Sequence, residues 1–179
     1  MPTPTALLRT VCIALAALSC APLLHAAALE DAQAQWAAGK RDQAIKTAED
    51  ALKATPDDPR LRFSLATMLL EQTQIERARV LFVSLTEDFP DLPDPYNNLA
   101  VIHAARGEYE AARQSLARAL ELQPDHAQAQ ENLGDVLMRL AQQAYERALK
   151  QALGDDSGLK LKLQRVSEFN GSKRTTAAR

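Results

Sequence analysis

Between Pro93 and Pro124 the apolar positions fall at the three- and four-residue steps of one helix face: Tyr96, Leu99, Ala100 and His103, then Ala112, Leu116 and Ala119. The pattern predicts two short amphipathic helices joined by a turn at Gly107. Pro124 ends the second, because proline has no N–H to continue a helix and disfavours helical geometry in the residue before it. One such hairpin cannot bury its own apolar face. It needs neighbours, and the chain supplies them.

The same punctuation returns every 34 residues. Pro124 maps to Pro90 and Pro56, Ala112 to Ala78 and Ala44, and Gly107 to Thr73 and Gly39. Leu99-Ala100 maps back to Leu65-Ala66 and forward to Leu133-Gly134. The frame reads Tyr96-x2-Leu99-Ala100-x2-His103, Ala112-x3-Leu116, Pro124, preceded by Arg62-x2-Leu65-Ala66-x2-Leu69, Ala78-x3-Phe82, Pro90. This resembles the tetratricopeptide repeat, a helix–turn–helix unit of about 34 residues. The resemblance implies an all-α fold, a right-handed α-solenoid of about 3.5 hairpins. Small residues at 66, 100 and 134 are expected where the helices of a hairpin cross, facing Ala44, Ala78 and Ala112.

Repeats are expected at residues 29–58, 59–92 and 93–126, with a degenerate fourth at 127–153. In the first, Leu29, Ala32 and Trp36 form the apolar stripe before Gly39. Asp58-Pro59 and Asp94-Pro95 read as an N-cap followed by proline at the first helical position. In the fourth repeat no turn signal follows Leu140, so one helix is expected from about Ala127 to Leu153. After a loop at residues 154–158, Leu159, Leu163, Val166 and Phe169 step along one face, as in a helix capping the last exposed apolar surface. Residues 170–179 are polar and basic, and disorder is expected there. Asn170-Gly171-Ser172 matches a glycosylation sequon, read as accidental in a bacterial chain.

Residues 1–28 change the picture of where the chain works. Arg9 precedes an apolar run from Val11 to Leu24, and small residues follow at Ala26, Ala27 and Ala28. That is the form of a cleaved secretion signal, and the run is short for a membrane span. The expected location is the periplasm. Two alternatives stand beside it: an uncleaved anchor, or a lipid on Cys20, since Ala17-Leu18-Ser19-Cys20 loosely resembles a lipoprotein cleavage box. A membrane enters only in those two cases. Both cysteines, Cys12 and Cys20, lie in this leader, so the remainder has no thiol for a disulfide, a nucleophile or a metal. Removal of Arg9 leaves 20 basic against 23 acidic residues. Mixed charge of this kind excludes the concentrated basic footprint of a nucleic-acid partner.

Catalytic signatures are missing. There is no Gly-rich phosphate loop and no nucleophile elbow, and the histidines lack short zinc spacings. His103 occupies the aromatic slot of its repeat, and His126 follows Asp125 at a helix start. No enzyme activity, cofactor or metal is expected. The expected chemistry is a concave groove lined by the first helix of each repeat. Phe63, Ser64, Thr67 and Leu70 would line it in repeat two, Asn97, Asn98 and Val101 in repeat three, and Glu131, Asn132 and Asp135 in repeat four. Trp36 either fills the core or points into this groove, where it would anchor a partner. Asn98 and Asn132 are equivalent in register, and the family resemblance implies that asparagine here binds a peptide backbone. The basic clamp that some relatives use for a C-terminal carboxylate is missing. The expected ligand is therefore a basic or neutral apolar segment of a protein partner.

The run from Leu85 to Arg113, with Glu131-Asn132-Leu133-Gly134-Asp135-Val136, is similar to small exported tetratricopeptide proteins of Gram-negative bacteria. Self-association through the C-terminal helices is the competing expectation, and the oligomeric state is open.

Overall fold

A computed structural model describes residues 27–152, 154 and 156–176. The secretion-signal expectation, with Arg9, Cys12 and Cys20, falls mainly on residues 1–26, outside the described residues. The described residues form helices and turns without a strand. Helix α1 covers residues 27–37. It is followed by α2 (Arg41–Ala54), α3 (Pro59–Glu71), α4 (Ile75–Asp88), α5 (Pro93–Ala105), α6 (Tyr109–Leu122), α7 (Ala127–Gln151) and α8 (Ser157–Thr176).

Each hairpin turns at the same register. Gly39, Thr73 and Gly107 all take positive φ, at 76°, 57° and 77°. Glycine adopts this left-handed conformation at no steric cost, whereas a β-branched residue resists it. At Gly107 the turn closes with its N–H donating to Ala104 O and that of Glu108 to His103 O. The N-caps share the period too: Asp58 before α3, Leu92 before α5 and His126 before α7. The Asp58 carboxylate accepts from the N–H groups of Arg60 and Leu61, at 2.9 and 3.1 Å. His126 Nδ1 accepts from the Ala129 N–H, while its Nε2 stands 3.0 Å from the Asp94 carboxylate. The expected Asp94-Pro95 cap is corrected: α5 starts two residues earlier, with Leu92 as N-cap and Pro93 in the first turn, and Leu92 has no side chain able to cap.

The chain divides into two compact units, with the division inside α4 after Leu81. The first has Ala32, Ala44, Ala48, Leu61, Leu65, Ala66, Leu69 and Ala78 at its core. Arg62 is also buried there, and its guanidinium donates to Pro56 O. In the second unit Ala100, Ala112, Leu116, Ala119, Ala129 and Val136 form a cluster, with Tyr96, Leu133 and Leu140 packed against it. The alanines let the helix axes approach, and the leucines fill the space beside them.

Three expectations about the C-terminal part are corrected. Gly134 is exposed, and a Cβ built on it would meet nothing within 4 Å. Helix α7 does not fold back at the end of its repeat, so no hairpin partner crosses at this glycine. Phe169 is 41% exposed and does not seal the cap. The next residue, Asn170, is buried instead, donating from Nδ2 to Gln142 Oε1 at 2.7 Å and to Met138 O at 3.4 Å. Residues 170–176, expected from polarity to be disordered, continue α8, and the two bonds hold Asn170 on α7. They also occupy the nitrogen that a sugar at the sequon would need.

Candidate functional site

In the first unit, α1 and α3 enclose a groove of about 580 Å³. From α1 it takes Leu29, Glu30, Gln33, Trp36 and Ala37. From α3 it takes Arg60, Phe63, Ser64, Thr67, Met68 and Glu71, which all lie on one helical stripe. Four of the sequence-expected residues, Trp36, Phe63, Ser64 and Thr67, meet here. Leu70 does not line the groove; at 100° per residue it falls just off the stripe. Glu30, Gln33, Ala37, Arg60, Met68 and Glu71 were not expected in the groove, although Gln33, Arg60, Met68 and Glu71 are each three or four positions from Trp36, Phe63, Ser64 or Thr67.

Trp36 is half-buried and fixed from one side. The Arg41 guanidinium lies 4.1 Å from the centre of its ring, and Arg41 Nη1 donates to Trp36 O at 2.7 Å. This cation–π contact orients the indole before any ligand arrives. Thr67 Oγ1 donates to Phe63 O at 3.0 Å, so its hydrogen is committed and only its lone pairs face outward chemistry. Thr47 Oγ1 donates to Gln35 Oε1 at 2.9 Å and ties α2 to α1.

The second unit carries the other named residues on α5 and α7, in a different state from that expected. Asn97 is buried, and its Oδ1 accepts from Asn132 Nδ2 at 2.8 Å. Asn132 Oδ1 in turn accepts from Gln128 Nε2. Asn98 Nδ2 donates to Asp94 O of its own helix at 2.9 Å. The register-equivalent asparagines are thus not equivalent in use: Asn132 is spent on the preceding repeat's first helix, and Asn98 on its own backbone. Val101 and Glu131 are exposed, and Asp135 is half-buried. His103 holds the α5–α6 turn, with Nδ1 2.6 Å from the Glu108 carboxylate. Among the described residues no cluster of His, Cys, Asp or Glu has the arrangement of a metal site.

Helical hairpins of this register meet a known family directly. A family model described as tetratricopeptide repeat matches residues 35–102 and again 69–133, more than half of the chain. The chain belongs to the tetratricopeptide repeat family. Protein O-mannosyl-transferase TMTC1 of Homo sapiens is 31% identical over 112 residues, which is 59% of this chain but 13% of that protein. The chain therefore spans a small part of that curated relative. The first tetratricopeptide domain of Spaghetti (RPAP3), solved with the HSP90 peptide SRMEEVD, superposes with a TM-score of 0.62 at 21% identity, covering 65% of this chain and 93% of that one. A tetratricopeptide protein of Thermus thermophilus gives 0.58 at 23% identity, covering 79% and 80%. Such identities establish the tetratricopeptide fold and leave the ligand to be argued from this chain's own groove. Tetratricopeptide domains are protein–protein interaction scaffolds, and this one is all-α in the same way.

Proposed function

We propose that this tetratricopeptide protein is an exported adaptor that docks an extended segment of a protein partner in the α1–α3 groove. The observation that carries the reading is the meeting of Trp36 and Phe63 in one open groove. Two aromatic side chains beside the hydrogen-bonding groups of Gln33, Ser64 and Thr67 form an anchor with a polar rim, the arrangement in which binding energy concentrates. The Spaghetti domain's peptide complex supports a peptide as the kind of ligand. Export to the periplasm is proposed from the leader pattern of residues 1–28, and a leader fused to a periplasm-dependent reporter enzyme tests it. A photo-crosslinking residue at Phe63 in cells is expected to capture a partner that is missed from the exposed outer position Lys53. The same capture from both positions, or retention after Trp36→Ala, rejects the groove.

A second reading rests on a different observation. Leu137 on α7 and Leu161 and Phe169 on α8 are 41–47% exposed. Self-association through these helices would cover them. Light scattering across a concentration series separates the readings: a strict monomer at high concentration removes the second.

A further inference from the structure

Charge is divided unevenly along the chain. Residues 27–156 carry 22 acidic and 14 basic side chains, whereas residues 157–176, the span of α8, carry one acidic and five basic. Such asymmetry points to a partner for the basic part. Leu163, Val166 and Asn170 are half or fully covered on the inner stripe of α8. On its other side Leu161, Lys162, Arg165 and Phe169 are all exposed. At 100° per residue these four fall within about 100° of one another. Lys162 and Arg165 make no ion pair among the described residues. Glu168, the acidic residue of the helix, accepts from Gln164 Nε2 at 2.8 Å. Elsewhere in the chain Glu49, Asp50, Glu76, Glu110 and Glu121 already pair with cations.

We propose that the outer stripe of α8 seats on an anionic phospholipid surface, a contact separate from both the leader and the groove. Leu161 and Phe169 are 47% and 41% exposed. They stand about 12 Å apart along the helix axis, at roughly 1.5 Å per residue. A helix lying in the surface plane sets such side chains between lipid headgroups, while Lys162 and Arg165 between them reach phosphate oxygens. No helix among the described residues is long and apolar enough to cross a membrane, and this contact needs only the surface. The same surface repels the acidic remainder of the chain, which turns α8 toward it. A second copy of the chain fits the stripe less well. Two outer stripes would set Lys162 and Arg165 against their own kind, and several carboxylates that could answer them are already paired.

Trp36 is the single tryptophan of the chain. Trp36→Phe silences it and Leu161→Trp places an indole on the outer stripe, so the full chain reports on α8 whatever the leader does. Vesicles of equal parts phosphatidylglycerol and phosphatidylcholine, and of phosphatidylcholine alone, serve as probes, with brominated acyl chains to quench an inserted indole. Quenching is expected on the anionic vesicles at about tenfold lower lipid than on the neutral ones. Each basic side chain near an anionic surface strengthens partitioning about fivefold, so Lys162→Gln with Arg165→Gln should weaken it roughly twentyfold. High salt should weaken it as well. Equal quenching by both kinds of vesicle overturns the charge assignment. No quenching on either overturns the proposal: a bound chain would then touch lipid through another part, and an unbound chain whose mass rises with concentration would use the stripe on a second copy.

Discussion

Asn132 on α7 donates from Nδ2 to Oδ1 of Asn97 on α5 at 2.8 Å, and Asn97 is 7% exposed. The bond joins the first helices of consecutive repeats through two side chains 35 positions apart. Asn132→Ala would leave a buried carbonyl oxygen without its donor, at a cost of about 1–3 kcal/mol. Asn98→Ala removes a bond to an exposed stretch of its own helix and should stay within about 0.5 kcal/mol. Urea midpoints of the two variants check the contrast; equal midpoints would mean that the Asn97–Asn132 bond adds nothing.

Thr73 is the one hairpin turn where the repeat lacks glycine, and it holds a φ of 57°. A β-branched residue in this conformation carries roughly 1–2 kcal/mol of steric cost. Thr73→Gly relieves that cost but frees the unfolded chain, which takes back part of the gain. The net expectation is a rise of about 0.5–1 kcal/mol, read as a higher melting temperature. Gly107→Ala should move the other way although its Cβ would meet no neighbour, because φ alone opposes it.

Leu92 occupies an N-cap where Asp58 and His126 cap their helices through side chains. Leu92→Asp supplies the missing acceptor for the first-turn N–H groups of α5 and removes an exposed apolar side chain. An increase of about 1 kcal/mol is expected. Leu92→Ala tests the cause: a similar gain there would point to lost apolar exposure and not to capping.

The hairpins were legible in the sequence because periodicity reports which face of a helix is buried. Leu65 and Leu99 are buried and Leu133 packs against the core at the expected places, and Gly39, Thr73 and Gly107 all turn the chain. The stripe Phe63, Ser64, Thr67 followed from the same arithmetic and meets Trp36 in the groove. Periodicity says nothing about which polar atoms meet across helices. The Asn97–Asn132 bond, the Arg41 stack on Trp36 and the burial of Asn170 depend on helix crossings, and none has a sequence spacing of its own. Register equivalence failed at Gly134 for a related reason: the repeat position is preserved, but the second helix that would cross there is gone.

Ala100 and Ala112 are 1% and 0% exposed, in the helices of one hairpin. Ala100→Leu or Ala112→Leu forces added methylenes into filled space and should cost about 1–3 kcal/mol or more. Gly134→Ala is the control, since open space surrounds that position and alanine favours a helix by about 1 kcal/mol over glycine. Thermal melts of the three variants should therefore fall, fall and rise. A rise for either leucine variant would mean that the alanines do not mark close helix contact.

Asn170 fastens α8 to α7 by donating to Gln142 Oε1 and Met138 O, and the Arg139 guanidinium donates to the Asn170 backbone oxygen at 3.2 Å. Val166 is the buried apolar residue of this helix, so polar contacts hold much of its inner face. Asn170→Ala loses two donated bonds and leaves Gln142 to find water, a change of about 1 kcal/mol. Asn170→Asp is worse at neutral pH, because a buried carboxylate cannot donate and sits against two acceptors. Burial and those acceptors favour its protonated form, whose O–H can donate. The defect in Asn170→Asp should therefore shrink as pH falls, while that in Asn170→Ala stays level. Hydrogen exchange over residues 157–170 reads this directly: faster exchange in α8 with α5 and α6 unchanged is expected. Equal protection of α8 in both variants across the pH range would show that Asn170 is not its fastening.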